Sequence, residues 1–166
     1  MIEIRPATAA DIEIIRELAE KVWWPTYSSI ITEAQINYML ELIYDTGTIS
    51  RQITNNEQSY IILSDNNIPQ GFAAYSPRTE DSEIYKLHKL YCLIETKGKG
   101  FGKQLVEEVE KHTLLAGKKI LELNVNRNNP AIGFYQNLGF TIAYTEDIDI
   151  GNGYEMNDYV MRKVLQ

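Results

Sequence analysis

The chain has 166 residues, 44% of them hydrophobic and with a net charge of −7; that suits one globular domain, residues 1–166, and argues against a nucleic-acid partner, which needs a basic face. No apolar run reaches transmembrane length and Met1 leads straight into IEIRPAT without a basic-then-apolar leader, so the expectation is a cytoplasmic protein with no membrane partner. One cysteine, Cys92, and two distant histidines, His88 and His112, exclude an intrachain disulfide and offer no metal-ligand spacing, so no metal is expected.

Ile2 to Arg5 alternates like a short strand. Thr8 or Asp11 can cap a helix whose apolar residues Ile12, Ile15, Leu18, Ala19 and Val22 recur at three and four. Pro25 is expected to break it within WWPTYSS, leaving Trp23, Trp24 and Tyr27 either as core plugs or as the wall of a pocket. Thr32 and Gln35 form a capping box for a second helix, Glu33 to Tyr44, with Glu33, Asn37 and Glu41 off its apolar face. A shorter helix is expected over Ile49 to Thr54, then a hairpin of Ser59 to Ser64 and Ile68 to Ser76 around Asp65-Asn66-Asn67.

Glu83 to Leu93 reads as a long strand. Strict alternation puts Lys86, His88, Leu90 and Cys92 on one face and Leu87, Lys89, Tyr91 and Leu93 on the other. Gly98, Gly100 and Gly102 follow, and a helix then runs to about Ala116 with Gly117 as its stop. Lys119 to Asn126 is strand-like, and Asn128-Asn129-Pro130 starts a helix that ends at Gly139. Phe140 to Ile150 and Tyr154 to Val164 are strands joined by Gly151-Asn152-Gly153. The order β-α-α-β-β-β-α-β-α-β-β describes a mixed α/β fold with a mostly antiparallel sheet.

The strand, glycine loop and helix start from Leu90 to Glu110 form an anion-binding device. First-turn N–H groups lack intrahelical partners, the helix dipole adds partial positive charge, and Lys97, Lys99 and Lys103 bring three ammonium groups. The dinucleotide spacing G-x-G-x-x-G fails because residue 103 is Lys, and the phosphate-loop spacing fails at Lys97 and Gln104. Charge is segregated: eight of the 16 Lys and Arg lie between Lys86 and Lys119, whereas Val22 to Ser50 and Asn128 to Met161 have none. The latter stretch carries Glu146, Asp147, Asp149, Glu155 and Asp158. This is either ordinary solvated surface or a field that draws an anionic cofactor to one end and a cationic acceptor to the other.

With Lys97 in the Gln/Arg place, Lys97 to Gly102 resembles the Q/R-x-x-G-x-G/A signature of the GNAT acetyltransferases. NNPAIGFYQNLGF, Asn128 to Phe140, is similar to that family's second signature through Asn129, Ala131, Phe134, Tyr135, Gly139 and Phe140. LHKLY before the loop and DIGNGYEMNDYVM near the end resemble the PaiA-like polyamine and small-amine acetyltransferases. The resemblance implies a GNAT-type sheet, acetyl-CoA as co-substrate, and direct transfer to an amine, a small cationic molecule such as a polyamine first. A protein N-terminus or lysine is the alternative acceptor, and a non-catalytic acyl-CoA-binding module a third reading.

It implies that the N–H groups of Lys97, Gly98, Lys99, Gly100, Phe101, Gly102 and Lys103 cradle the pyrophosphate. The pantetheine arm would lie against Tyr91, Cys92 and Leu93, near Asn129 and Phe134, with a strand N–H polarising the thioester carbonyl. Tyr135 would protonate the leaving thiolate. The position where many relatives place a glutamate base is Lys86, so His88, titrating near neutrality, is the candidate base, directly or through water, with a structural role the competing reading and Glu83 or a carboxylate of the acidic segments, relaying through water, the alternative. Cys92 is expected to be a chemical spectator. Trp24, Tyr27, Glu33 and Glu41 are the acceptor-site candidates, and a homodimer is a further expectation.

Overall fold

The computed structural model describes residues 1–166. Strands β1 (Ile2–Pro6), β2 (Ser59–Asp65), β3 (Ile68–Pro77), β4 (Ile84–Cys92), β5 (Ile120–Asn126), β6 (Thr141–Gly151) and β7 (Tyr154–Val164) form one sheet in the order β1-β2-β3-β4-β5-β7-β6. Helices α1 (Ile12–Tyr27), α2 (Glu33–Ile43) and α3 (Thr46–Thr54) precede β2, so the first connection holds three helices. Helix α4 (Phe101–Leu115) joins β4 to β5, and α5 (Ala131–Asn137) joins β5 to β6. No helix is long and apolar enough to cross a membrane.

Both faces of the sheet are buried against helices. On one, Leu105 and Val109 of α4, Tyr135 of α5 and Phe140 just before β6 pack against Leu87, Leu121, Leu123 and Met161. On the other, α1 to α3 pack Ile15, Trp23, Ile36 and Ile49 against Ile62, Phe72 and Ala74. Thr32 Oγ1 caps α2 by accepting from Gln35 N–H at 3.1 Å, but the expected reciprocal half of the box is absent because Gln35 Nε2 donates to Glu155 O at 2.8 Å; α3 starts at Thr46 rather than Ile49, where Asp45 accepts from Thr48 N–H at 3.2 Å. Ahead of α1, Thr8 and Asp11 form a reciprocal capping box whose carboxylate also takes both ends of Arg5, each at 2.8 Å.

Pro25 does not break α1 as expected. The helix continues to Tyr27, and Ser28 N–H still reaches Trp24 O at 3.1 Å. Only one bond is lost to the missing N–H, and in the last turn the loss is offset by the buried Trp23–Tyr27 pair, whose ring centroids are 4.5 Å apart.

The β4–β5 pair is the only parallel one, and it is short. Register runs from Ile84↔Ile120 to Leu87↔Leu123 and then stops. Strand β4 continues beside β3 as far as Gly71↔Cys92, and β5 beside β7 as far as Asn126↔Asp158. The sheet therefore opens into a gap between residues 88–92 of one strand and 124–126 of the other.

A β-bulge sits at the start of that gap. Ala74 pairs with Lys89 and Tyr75 with Leu87, leaving His88 unpartnered. The extra residue overturns the expected alternation: Tyr85 and Leu87 share the α4 face with Leu90 and Cys92, whereas Tyr91 and Leu93 pack toward α1 and α2.

Candidate active site

A cleft of about 630 Å³ occupies the gap. Leu87 to Cys92 form one wall and Leu123 to Asn126 the other. Helix α5 contributes Phe134 and Tyr135 from one side of the sheet. Trp23 and Tyr27 of α1, with Ile148, Ile150, Met156 and Asp158 of the β6–β7 hairpin, close it from the other. The gap thus joins the two faces of the sheet.

Its unpaired strand edges supply backbone groups. Of the expected Tyr91–Leu93 stretch, Leu93 N–H is committed to Gln70 O at 2.9 Å and is not a free donor. Strand alternation turns the N–H of Cys92, one residue earlier, into the gap. The Cys92 thiol lies in the cleft wall, where burial raises its pKa to about 12 and keeps it a thiol at neutral pH.

Ile94 and Lys97 carry the wall to the glycine loop. There Gly98 and Gly100 have φ +87° and +78°, a conformation that favours glycine, and a Cβ on either would meet nothing within 4 Å. The N–H groups of Gly98, Gly100, Phe101, Gly102 and Lys103 have no backbone acceptor, whereas those of Lys97 and Lys99, also expected in the cradle, are committed to Ile94 O at 3.1 Å and Thr96 O at 3.0 Å; neither lysine side chain is in an ion pair. Phe101 contributes only its N–H, because its ring is buried in the α4 core. Gly102 is required by packing: a Cβ would lie 3.1 Å from the Phe134 ring. Open space, free donors and cationic side chains fit a polyanion such as the phosphates of CoA.

Tyr135 is 8% exposed, and its hydroxyl reaches the cleft with no hydrogen bond to another side chain. Burial raises its pKa, holding it as the phenol, the form that donates a proton. Asn129 caps α5 through its Oδ1, which accepts from Ala131 N–H at 2.9 Å, and its side chain also borders the cleft. Tyr27 and Tyr91 share a hydroxyl hydrogen bond of 3.2 Å across it.

His88 departs from expectation. Its Nε2 shares a 2.7 Å hydrogen bond with Ser76 Oγ, and burial together with Lys86 and Lys89 lowers its pKa to about 3. It is neutral near pH 7 and, with that conjugate-acid strength, a poor receiver of an ammonium proton. Three acceptor-site candidates also fall elsewhere: Trp24 packs against the α1–α3 core without reaching the cleft, and Glu33 and Glu41 are exposed on α2 outside its wall. Tyr27 alone of the four lines it.

The sequence reading missed Asp158 as an individual residue. It is 6% exposed, in the cleft wall, and its pKa is raised by burial. Its signal was a carboxylate at the inward position of an alternating strand, between buried Met156 and Val160.

Comparison with known proteins agrees with this geometry. The profile of the acetyltransferase (GNAT) family matches residues 16–140. The spermidine N(1)-acetyltransferase of Thermoplasma acidophilum is 30% identical over 156 residues, 89% of this chain and 93% of that one. The uncharacterized N-acetyltransferase YuaI of Bacillus subtilis is 27% identical over 138 residues, 82% of this chain and 78% of its own. The crystal structure of PaiA N-acetyltransferase from Thermoplasma acidophilum in complex with coenzyme A superposes with a TM-score of 0.84, at 26% identity and covering 99% of each chain. By its family signature, its split sheet and its phosphate cradle, the chain belongs to the GNAT family and is an acetyl-CoA-dependent N-acetyltransferase.

Proposed function

We propose that the acceptor is the primary amine of a cationic small molecule, a polyamine first. The observation that carries this reading is the charge of the cleft's acceptor side. Of the acids on the β6–β7 hairpin that closes it, Asp158 lines the cleft, whereas Glu146, Asp147, Asp149 and Glu155 are exposed beyond its wall, with Asp147 paired to Arg127; the hairpin has no Lys or Arg before Arg162. A cation is drawn to that wall while the basic glycine loop at the other end attracts phosphate. The spermidine acetyltransferase among its relatives supports the same substrate class.

Acetyl-CoA supplies the acetyl group as an activated thioester. The free N–H groups of Gly98, Gly100, Phe101, Gly102 and Lys103, with the Lys97 and Lys99 side chains, hold its phosphates, and the β4 edge at Cys92 offers an N–H to the thioester oxygen. Tyr135 supplies a proton to the departing sulfur. Tyr27, Trp23 and the hairpin shield the reacting amine from bulk water.

Release of free CoA across a panel of spermidine, spermine, putrescine, small monoamines and short peptides tests the reading. Turnover fastest with polyamines is expected; faster turnover of peptides would reverse it. In the same assay Tyr135→Phe should lower kcat by about 100-fold or more with acetyl-CoA affinity within about threefold. Equal losses in both would remove Tyr135 from the chemistry.

A further inference from the structure

Three acidic side chains are buried in this protein: Asp11, Glu122 and Asp158. Two have their counter-charge. Asp11 takes both ends of Arg5, and Glu122 takes Arg162 at 2.7 Å and Arg78 at 3.1 Å. Asp158 has none within 4 Å. Lys86 and Arg127 are the cations whose charge reaches it, but Lys86 forms no ion pair with it, and Arg127 donates to the backbone oxygen of Asp158 at 3.4 Å and gives its charge to Asp147. The only side-chain bond to the Asp158 carboxylate is a long one, 3.3 Å, from Asn124 Nδ2 to Oδ2. Oδ1 of Asp158 and Oδ1 of Asn124 are both buried without a donor.

Two orphaned acceptors side by side in a cleft wall form an unusual deficit. A buried carboxylate without a partner costs several kcal/mol in general, and folds retain such a group where a ligand completes it. What is missing is a cation with several N–H donors. An acceptor amine in its ammonium form brings three donors and one positive charge.

We infer that Asp158, with Asn124 beside it, binds the reacting ammonium of the acceptor and takes its proton. The inference rests on the acetyltransfer reading above and adds a residue role to it. Strand geometry puts both side chains on the face opposite Tyr135: Asn124, Asn126 and Asp158 lie on neighbouring strands at the open end of the gap, with Asn126 and Asp158 in register. Proton acceptor and proton donor then approach the gap from opposite faces of the sheet.

The step balances. The ammonium N–H bond breaks, its proton goes to an Asp158 carboxylate oxygen, and the freed nitrogen lone pair forms a bond to the thioester carbonyl carbon. The C–S bond breaks, the sulfur takes the Tyr135 proton, and the second proton lost from nitrogen restores Tyr135. Asp158 returns its proton to solvent, so one proton is released per acetyl transferred. The charged and titratable groups around Asp158 are Glu146 on β6, Lys86 on β4, Arg127 after β5 and Tyr27 on α1. His88 is spared the role its sequence position suggested.

The test uses Asp158→Asn, an isosteric loss of the carboxylate. Spermidine kcat/KM at pH 7.5 is expected to fall by about 100-fold or more. The deficit should narrow as pH rises toward 10, because the free amine no longer needs a base. Calorimetric titration of spermidine into the CoA-saturated variant should show affinity lowered at least about tenfold, with the acetyl-CoA thermal shift unchanged. A loss under about fivefold, or one equal at every pH, overturns the inference. Should Asp158→Asn give no acetyl-CoA thermal shift, Asp158→Glu decides: retention of the wild-type pH profile supports the role, and a CoA-binding but inactive Glu variant overturns it. If the wild type ignores spermidine but acetylates another amine in the panel, the polyamine reading fails and the comparison on that amine still decides Asp158.

Discussion

Lys89 is the buried ammonium whose partners are all neutral. It is 6% exposed and donates to Tyr60 Oη at 2.6 Å, Gln58 Oε1 at 2.9 Å and Gln52 Oε1 at 3.5 Å. It also stands 4.9 Å from the centroid of the Tyr60 ring. These contacts soften the burial of a charge without cancelling it, and desolvation lowers the pKa from 10.5 to about 7. The consequence for stability has a definite sign. Below about pH 7 both the folded and unfolded forms are charged, and the fold bears the desolvation cost. Between about 7 and 10.5 the unfolded chain holds the proton and the folded one does not, so stability rises with pH. Lys89→Met removes this dependence. The unfolding free energy of the wild type, measured against that variant by urea melts, should gain on the order of 1–2 kcal/mol from pH 7 to 9. A difference that stays flat across that range would show that Lys89 keeps its proton.

At the scale of elements, what the sequence revealed is what local chemistry controls. Thr32 announces α2 because its hydroxyl satisfies an N–H three residues on. Gly151-Asn152-Gly153 announces the last hairpin because all three residues take positive φ. The bulge at His88 was hidden because it exists only in register with β3, a strand separated from it by a loop. Helix α1 passes Pro25 because of buried partners that the local sequence does not show. Asp158 reads like its acidic neighbours because burial is a property of the assembled sheet. Two helix glycines put the same distinction to a test. Gly133 in α5 is exposed, and a Cβ there meets nothing within 4 Å, whereas one on Gly102 in α4 meets the Phe134 ring at 3.1 Å. Gly133→Ala should stabilise the ligand-free protein by about 0.5–1 kcal/mol through helix propensity alone. In Gly102→Ala the same gain is offset by displacement of Phe134, and its KM for acetyl-CoA should rise. Thermal melts that move both variants upward equally would show that the α4–α5 contact yields without cost.

Across the whole molecule, the sheet is continuous only where Ile84 to Leu87 meet Ile120 to Leu123. Strands β1 to β4 on one side and β5 to β7 on the other are otherwise joined by α4 and by bridges such as Arg78 to Glu122. Beyond Leu87 the two edges part, and their backbone groups face the cleft rather than each other. A ligand laid along the gap, with its phosphates on the glycine loop, completes hydrogen bonding that the protein alone leaves open. Binding to the folded state should therefore raise thermal stability by mass action. At 100 times its dissociation constant acetyl-CoA adds about 2.7 kcal/mol, which for a chain of this size is a Tm increase of about 5–10 °C. The shift should shrink as salt is added, because Lys97, Lys99 and Lys103, the phosphate partners proposed above, are exposed. Hydrogen exchange gives the sharper measurement. Protection on adding acetyl-CoA is expected at residues 90–92, at 98–103 and along the end of β5, with little change in β1 and β2 at the far side of the sheet. Protection spread evenly over all seven strands would mean that the ligand tightens the fold as a whole rather than closing this gap.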